Sequence, residues 1–436
     1  MNYEQAINYL KSLTTFGINL GLGRIAELLR RLGNPHCHLK IIHIGGTNGK
    51  GSTTAMVAGI LRCAGYKTGM FCSPHLHSYT ERFLINGESI AENNLARLIA
   101  EIKPYLEAMV AEGYEHPTEF EVSTALALLF FAREGTDFVV LEVGMGGAID
   151  STNIVNPLVS VITNVTLDHM DYLGERVEDI ALVKAGIIKP GVPVVTAAAG
   201  TSLEVIRKVA TENNCQLVQV GREITWTSLA NREGYGHQHF KVSGLYNDYL
   251  VELPLLGFHQ QVNAATAVAA VETLFSQLGK PVPAVEIIQG LGCVQWPARL
   301  EVAGENPTLL IDGAHNHAGA IALKQALQEF FPGRNIVLVL GMLADKERSK
   351  VVAELAPLAK SVVVTRSNHP RAGDWAGLAG YVRYYLDDVT IVEDVGEAIK
   401  TAVSGVSPGD LVCVTGSLYM VAEAREFLGL FVKNNL

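Results

Sequence analysis

The sequence predicts an α/β protein of two domains. The larger is a nucleotide-binding domain built on a mostly parallel sheet with a phosphate-binding loop. The smaller is a second α/β domain at the C-terminal end. Three observations lead there. Short apolar runs alternate with stretches of helical length through the first half of the chain. A second series of the same kind begins after residue 300. A cluster of glycines with a lysine and a serine lies between the first strong strand candidate and the helix that follows it. A chain of 436 residues suits two or three domains at roughly 100–200 residues each.

LKIIHI (39–44) is apolar and stops at Gly45-Gly46, as a buried strand does. STTAMVAGILRCAGY (52–66) follows at helical length. YKTGMFC (66–72), FVVLEV (138–143) and LVSVIT (158–163) are further buried strands. EFEVSTALALLFFARE (119–134) reads as a helix buried over much of its surface. The βα alternation implies parallel strands with helices on both faces. The stretch from Gly221 to Asp248 is polar and weakly patterned, and reads as a hairpin or surface excursion of the first domain. TLLIDG (308–313), NIVLVLG (335–341), SVVVT (361–365), VTIVE (389–393) and DLVCVTG (410–416) form the second series. Trp296-Pro297 marks the boundary, which gives domains 1–296 and 297–436 with a hinge near 292–298.

Hydrophobic residues make up 48% and charged residues 18%, the balance of a globular chain with a large core. The net charge of -10 argues against a nucleic-acid partner, which selects a basic face. MNYEQAINYLKSL lacks the basic-then-apolar order of a signal peptide. TALALLFFA is too short to span a bilayer, so no membrane association is expected. Cys37, Cys63, Cys72, Cys215, Cys293 and Cys413 are scattered, which suits reduced thiols in the cytoplasm. His36-Cys37-His38 is set aside as a metal site, because neighbours in an extended chain point to opposite sides.

Gly45-Gly46-Thr47-Asn48-Gly49-Lys50-Gly51-Ser52-Thr53 is the sharpest local signal. Glycines let a backbone wrap a phosphate without a side-chain clash. A helix N-terminus offers free N–H groups to the anion. Lys50 can reach the outer phosphates and the Ser52 hydroxyl can ligate Mg²⁺. The strict Walker pattern has Gly where this chain has Ile44, and no residue between the lysine and the hydroxyl, where this chain has Gly51. The loop is a variant. A Gly-rich turn with a solvated lysine is the bland alternative, and the order strand, glycines, Lys, Ser, helix speaks against it.

Glu142 ends the apolar run FVVLE, so it stands at the carboxyl edge of a parallel sheet, where Mg²⁺ could be held. His169, in TNVTLDH, lies beyond another strand end. Lys184 sits near a helix end before Pro190-Gly191, a position usually taken by a solvated cation.

Together GGTNGKGS, SPHLHSYTERFLINGE, TEFE, LEVGMGGAIDSTN, TNVTLDHMDYLG, KAGIIKPGVPV, GFHQQVNAATA, WPARLE, DGAHN, GMLADKE and TGSLYMVAEAR, in this order, resemble the folylpolyglutamate synthase/dihydrofolate synthase family of the Mur ligase superfamily. The resemblance runs over nearly the whole chain. It implies a Rossmann-like second domain that closes over the first, ATP and two Mg²⁺ ions, and glutamate ligation to dihydropteroate, to reduced folates or to both, by a monomer. Thr47, Asn48, Gly49, Lys50, Gly51 and Ser52 would hold the nucleotide phosphates, and Asn263 would face the adenine. Arg299, Asp312 and His315 match further nucleotide contacts. Ser52 would ligate one Mg²⁺, and Glu142 and His169 the other. Lys50, His169 and Lys184 would serve catalysis, Lys184 as a carbamate. Ser73, Pro74, His75 and Tyr79 match a mobile folate loop, and Thr118, Phe120 and Asp150 a pterin pocket. Ser417 and Tyr419 match the region near the incoming glutamate.

The chain departs from the family pattern twice. Ala148 replaces an arginine after the paired glycines, and His317 replaces the proline after DGAHN. Another amino-acid ligase of the superfamily is disfavoured by the SPHL loop and by the short segment before Gly45. A nucleotide-gated switch is disfavoured by the downstream DGAH and SLY motifs.

Overall fold

Strand β1 (Ile41–Gly45) is the centre of an eight-stranded sheet. The other strands are β2 (Thr68–Phe71), β3 (Phe83–Ile85), β4 (Glu88–Ser89), β5 (Phe138–Glu142), β6 (Val159–Ile162), β7 (Val194–Thr196) and β8 (Leu217–Gln219). Their order across the sheet is β4-β3-β2-β5-β1-β6-β7-β8. The six strands from β2 to β8 in that order pair parallel, while β3 and β4 are antiparallel additions at one edge. The computed structural model describes residues 1–431 except 18, 20, 230–235 and 408.

The strands are almost wholly buried because helices cover the sheet. Ile41, Phe71, Val139 and Leu141 share a core with Leu10, Leu28, Leu98 and Leu126 of four helices. Val143, Ile162 and Val194 pack with Ile180 and Ile206 of two others. The helix Glu119–Arg133 is buried nearly all round, as its unbroken apolar run predicts, and starts in a capping box between Thr118 and Glu121. The helix after β1 runs Lys50–Cys63, earlier than the apolar pattern alone suggests. Gly49 takes the left-handed conformation, so Lys50 and Gly51 already belong to the first turn.

One expectation needs correction. Pro35–His38 is a 3-10 turn rather than an extended segment. Among the described residues, no group of three or more His, Cys, Asp or Glu side chains gathers in metal-binding fashion there or elsewhere. The polar stretch after Gly221 follows the hairpin reading rather than the surface excursion. It supplies β9 (Thr225–Ser228), β10 (Gln238–Ser243) and the start of β11 (Asp248–Leu253), which pair as a small antiparallel sheet. Residues 230–235 of that stretch lie outside the described residues.

Contacts divide the chain into two units. One comprises Met1–Leu229, His239–Glu252 and Gln261–Val294. The other is built from Leu253–Gln260 and the chain from Gln295 onward, with residues 236–238. The second unit has six strands: β12 (Glu301–Glu305), β13 (Thr308–Asp312), β14 (Ile336–Leu340), β15 (Ala359–Val364), β16 (Val389–Ile391) and β17 (Leu411–Thr415). They are ordered β12-β13-β17-β14-β15-β16, parallel except for the β12–β13 hairpin. Leu310, Leu338, Val362 and Cys413 of this sheet share a core with Leu323, Leu327, Val351 and Leu355. No described helix is long and apolar enough to cross a membrane.

The helices Lys50–Cys63 and Ala284–Gly292 touch backbone to backbone. A Cβ at Gly290 would lie 2.5 Å from Ile60 Cα. Alanine in a helix is ordinarily favoured over glycine by roughly 0.5–1 kcal/mol. Here overpacking, at roughly 1–3 kcal/mol, outweighs that gain. Gly290→Ala is therefore expected to lower the melting temperature of the first unit in calorimetry, and an unchanged or higher value would show that the helices separate freely.

Candidate active site

The carboxyl edge of the large sheet gathers the phosphate loop, Glu142 and the segment after β6. Parallel strands all end on that side, and the chain turns to opposite sides of β1 there, so a crevice opens. Ile44 pairs with Glu142 and Gly45 with Ile162. Residues far apart in sequence are thus brought to one edge by register alone.

The loop is held from the side by Thr163, Asn164 and Thr166. Thr47 N–H donates to Asn164 O at 2.9 Å, and Asn48 N–H to Asn164 Oδ1 at 2.8 Å. The Thr163 hydroxyl donates to Asn48 O at 2.7 Å. Thr47 Oγ1 donates to Thr166 O at 3.2 Å and accepts from Thr166 N–H at 3.0 Å. Sequence reading passed over these three residues as loop holders. Their signal is the polar TNVT run directly after an apolar strand. With Gly49 as a cap that offers no side chain, the first-turn N–H groups of Lys50, Gly51 and Ser52 stay open to a ligand. A Cβ at Gly49 would stand 2.3 Å from Asn263 Oδ1, which places Asn263 against the loop. Lys50 Nζ donates to Thr47 O at 3.1 Å. Ser52 is buried in the first turn of the helix Lys50–Cys63.

Lys184 overturns the expectation of a solvated cation. It is 4% exposed. Its Nζ donates to Gly46 O at 2.9 Å. Burial, reinforced by the Lys50 charge and opposed by Asp168 and Asp150, pushes its pKa down to about 7. Near pH 7 a substantial fraction of the amine, about half, is therefore neutral and nucleophilic. A carbamate on it would turn repulsion from Lys50 into attraction, so the position suits that modification.

Glu142 is buried at the end of β5 and accepts Ser73 N–H at 3.1 Å. His169 is not directly past a strand end, as the sequence suggested. Six residues, Thr163 to Asp168, separate it from β6, and three of them, Thr163, Asn164 and Thr166, bond the phosphate loop. It is left-handed at φ 52°, its side chain is 41% exposed, and its Nε2 lies 3.9 Å from Asp168 Oδ1. The Ser52 hydroxyl and the Glu142 carboxylate suit Mg²⁺, a hard cation that draws its remaining ligands from phosphate oxygens and water, while the His169 imidazole is a softer donor than it usually takes.

Ser73-Pro74 is a cis peptide. The segment after it is tied by Glu81, which accepts Leu76 N–H and Ser78 N–H, each at 2.8 Å. His75 accepts Arg82 Nε–H on Nδ1 at 3.0 Å. Burial, then the Arg82 charge, pushes the His75 pKa down to about 3. Arg82 also lies 4.4 Å over the Tyr79 ring and pairs with Glu119 at 3.0 Å, and the Tyr79 hydroxyl donates to the same carboxylate. Burial raises the Tyr79 phenol. Arg82 and Glu119 lie inside the quoted motifs, yet their pairing across 37 positions had no local signal. Thr118 is committed as a helix cap. Phe120 closes on Gly144, whose Cβ would meet its ring at 2.4 Å. Asp150 is buried, accepts Met145 N–H at 2.8 Å and Thr152 N–H at 2.9 Å, and is raised by burial. Ala148, where the family pattern has arginine, is exposed.

In the second unit, Asp312 ends β13 and pairs in register with Thr415, two residues before Ser417. Asp312 accepts Leu300 N–H at 2.9 Å and Ala314 N–H at 2.8 Å. Burial raises its pKa against the Arg299 charge. Arg299 donates to Ala298 O at 3.1 Å, and His315 Nδ1–H donates to Gly313 O at 2.9 Å. Ser417 caps the helix Leu418–Phe427, and the Tyr419 ring stacks on His369 at 4.0 Å. His317 opens the helix His317–Phe330 behind the Asn316 cap, at the position where proline is also tolerated. That replacement leaves the turn intact.

Residues 44–271 match the Mur ligase middle domain, and residues 298–418 match the Mur ligase glutamate ligase domain. The dihydrofolate synthase/folylpolyglutamate synthase of Bacillus subtilis is 35% identical over 98% of this chain and 99% of its own length. Folylpolyglutamate synthase of Mycobacterium tuberculosis, solved with ADP, superposes with a TM-score of 0.91 at 34% identity, over 98% of this chain and 99% of that one. The Escherichia coli protein solved with DHPP and ADP gives a TM-score of 0.88 at 30% identity, over 99% and 98%. With matches of this extent, the chain belongs to the Mur ligase family, in its folylpolyglutamate synthase/dihydrofolate synthase branch.

Proposed function

We propose that this chain is an ATP-dependent ligase that joins L-glutamate to a folate-type carboxylate, both as folylpolyglutamate synthase and as dihydrofolate synthase. The observation that carries this is the phosphate loop clamped by the TNVT segment with the buried Lys184 amine beneath it. Residues 1–296 serve ATP and the pterin-bearing substrate, and 297–436 carry the glutamate-ligase part. The enzyme acts as a cytoplasmic monomer, in keeping with six unpaired thiols.

The substrate carboxylate attacks the γ-phosphorus of ATP, and ADP leaves. The glutamate amine then attacks the acyl carbon, phosphate leaves, and the amine proton passes to solvent or phosphate. The first-turn N–H groups and Lys50 orient the phosphates and balance charge spreading over the γ-oxygens. Bound Mg²⁺, held by Ser52 on one side and by Glu142 and His169 on the other, would neutralise charge on the phosphates. Asn263 faces the adenine, and Arg299, Asp312 and His315 add nucleotide contacts. Ser73, Pro74, His75, Tyr79, Thr118, Phe120 and Asp150 bind the folate-type substrate, and Ser417 and Tyr419 receive glutamate. A carbamate on Lys184 would support the metal, and the Lys184 Nζ–H that donates to Gly46 O would hold the loop in place.

ADP release is expected to depend on L-glutamate with dihydropteroate and, separately, with tetrahydrofolate. No glutamate-dependent release with either would overturn the assignment. Gly49→Ala forces a non-glycine residue to φ 79° against Asn263. Left-handed geometry costs roughly 1–2 kcal/mol, so ADP affinity in calorimetry should fall by about tenfold. With ¹³C-bicarbonate, a carbamate resonance should grow as pH rises through about 7, because only the neutral Lys184 amine reacts with CO₂. Lys184→Gln should abolish the resonance and lower kcat by roughly 10²–10³. A resonance that survives this substitution would place the carbamate elsewhere.

A further inference from the structure

Strand β1 reads Ile41, Ile42, His43, Ile44, and the one polar side chain in it is 0% exposed. His43 Nε2 lies 2.8 Å from Thr152 Oγ1. Thr152 is itself wholly buried, in the turn Ser151–Ile154 that Asp150 caps. The Thr152 hydroxyl in turn bonds Asp150 Oδ1. These three groups come from two segments more than 100 positions apart.

The directions follow from the donors. An ionised carboxylate only accepts, so the Thr152 hydroxyl gives its single proton to Asp150. Its lone pair then receives the proton of His43 Nε2–H. The tautomer is thereby set, and His43 Nδ1 is left bare, with no hydrogen-bond partner. Burial, with the nearby Lys189 charge, keeps the imidazole neutral. A bare ring nitrogen in a core lowers stability. Leucine or valine would pack the site as its isoleucine neighbours do, so stability alone does not account for histidine here.

We propose that His43 and Thr152 are positioning residues that anchor Asp150 Oδ1 and so hold Oδ2 in the orientation in which it accepts an N–H donor of a pterin-type heterocycle. This rests on the reading of Asp150 as part of the substrate pocket. Two backbone N–H groups already hold the carboxylate, Met145 N–H at Oδ2 and Thr152 N–H at Oδ1. The hydroxyl adds a side-chain anchor whose own direction is fixed by His43.

The test is steady-state kinetics of the full chain for dihydropteroate, ATP and glutamate, with melting temperatures alongside. Thr152→Val keeps the volume and removes the hydroxyl. Its KM for dihydropteroate should rise roughly tenfold, the scale of one lost hydrogen bond to a charged group, with both other KM values unchanged and the melting temperature lower, because the buried His43 Nε2–H loses its acceptor. His43→Leu should do the same without lowering the melting temperature. Thr152→Ser and His43→Gln, which restore the hydroxyl and a donor at the Nε2 position, should return KM to the unmodified value. An unchanged dihydropteroate KM in Thr152→Val would overturn the proposal. So would a parallel rise in all three KM values, which marks a merely structural role. Asp150→Ala separates the two levels. If it raises the dihydropteroate KM while Thr152→Val does not, only the positioning role falls. If it leaves that KM unchanged, the pocket reading falls, and the positioning role with it.

Discussion

A buried lysine amine bonded to a loop carbonyl is the contact on which the first unit's site turns. Lys184 could be accommodated in water at little cost, yet its side chain runs inward to Gly46 O. A charged ammonium there would suffer desolvation and repulsion from Lys50, so the amine is held near neutrality. The same contact ties the helix Val177–Ala185 to the turn that ends β1. Loop shape and amine chemistry are therefore two results of one placement. A surface lysine would have given neither.

The sheet makes that placement possible. β1 lies between β5 and β6, so its carboxyl end is flanked by Glu142 on one side and by Thr163 on the other. The loop needs no side-chain cap at Gly49 because Asn164, Thr163 and Thr166 hold it from outside. Its helix N–H groups remain available as a result. Polar residues that a local reading assigns to an ordinary loop thus act as a rigid frame. The second unit repeats the principle at its own carboxyl edge, where Asp312 and Ser417 are each used to order a turn or a helix start.

The segment after β2 shows a different economy. Glu81 collects backbone N–H groups of its own loop, while Arg82 joins His75, Tyr79 and Glu119 in one cluster. An arginine that is stacked, ion-paired and hydrogen-bonded at once has little freedom left. The loop is consequently ordered by charged side chains that face inward, in a chain whose net charge would suggest only solvated ones.

Local sequence determined the fold class and the strands β1, β2, β5, β6 and β13 to β17 of the two large sheets, because buried parallel strands must be continuous apolar runs and turns must break them; the short strands β3, β4, β7, β8 and β12 carried no such run. It also determined the phosphate loop, because glycines before a lysine and a helix have few other uses. Boundaries moved where capping decided them: the helix after β1 begins at Lys50 because Gly49 turns left-handed, which hydropathy does not register. Only the tertiary structure decided the rest. Nothing near Lys184 in sequence tells that it is buried, since Gly46 lies 138 positions away. The pairing of Arg82 with Glu119 and of His43 with Thr152 is likewise long-range. Such contacts depend on strand order and register, which are properties of the whole sheet, so no window of the chain contains them.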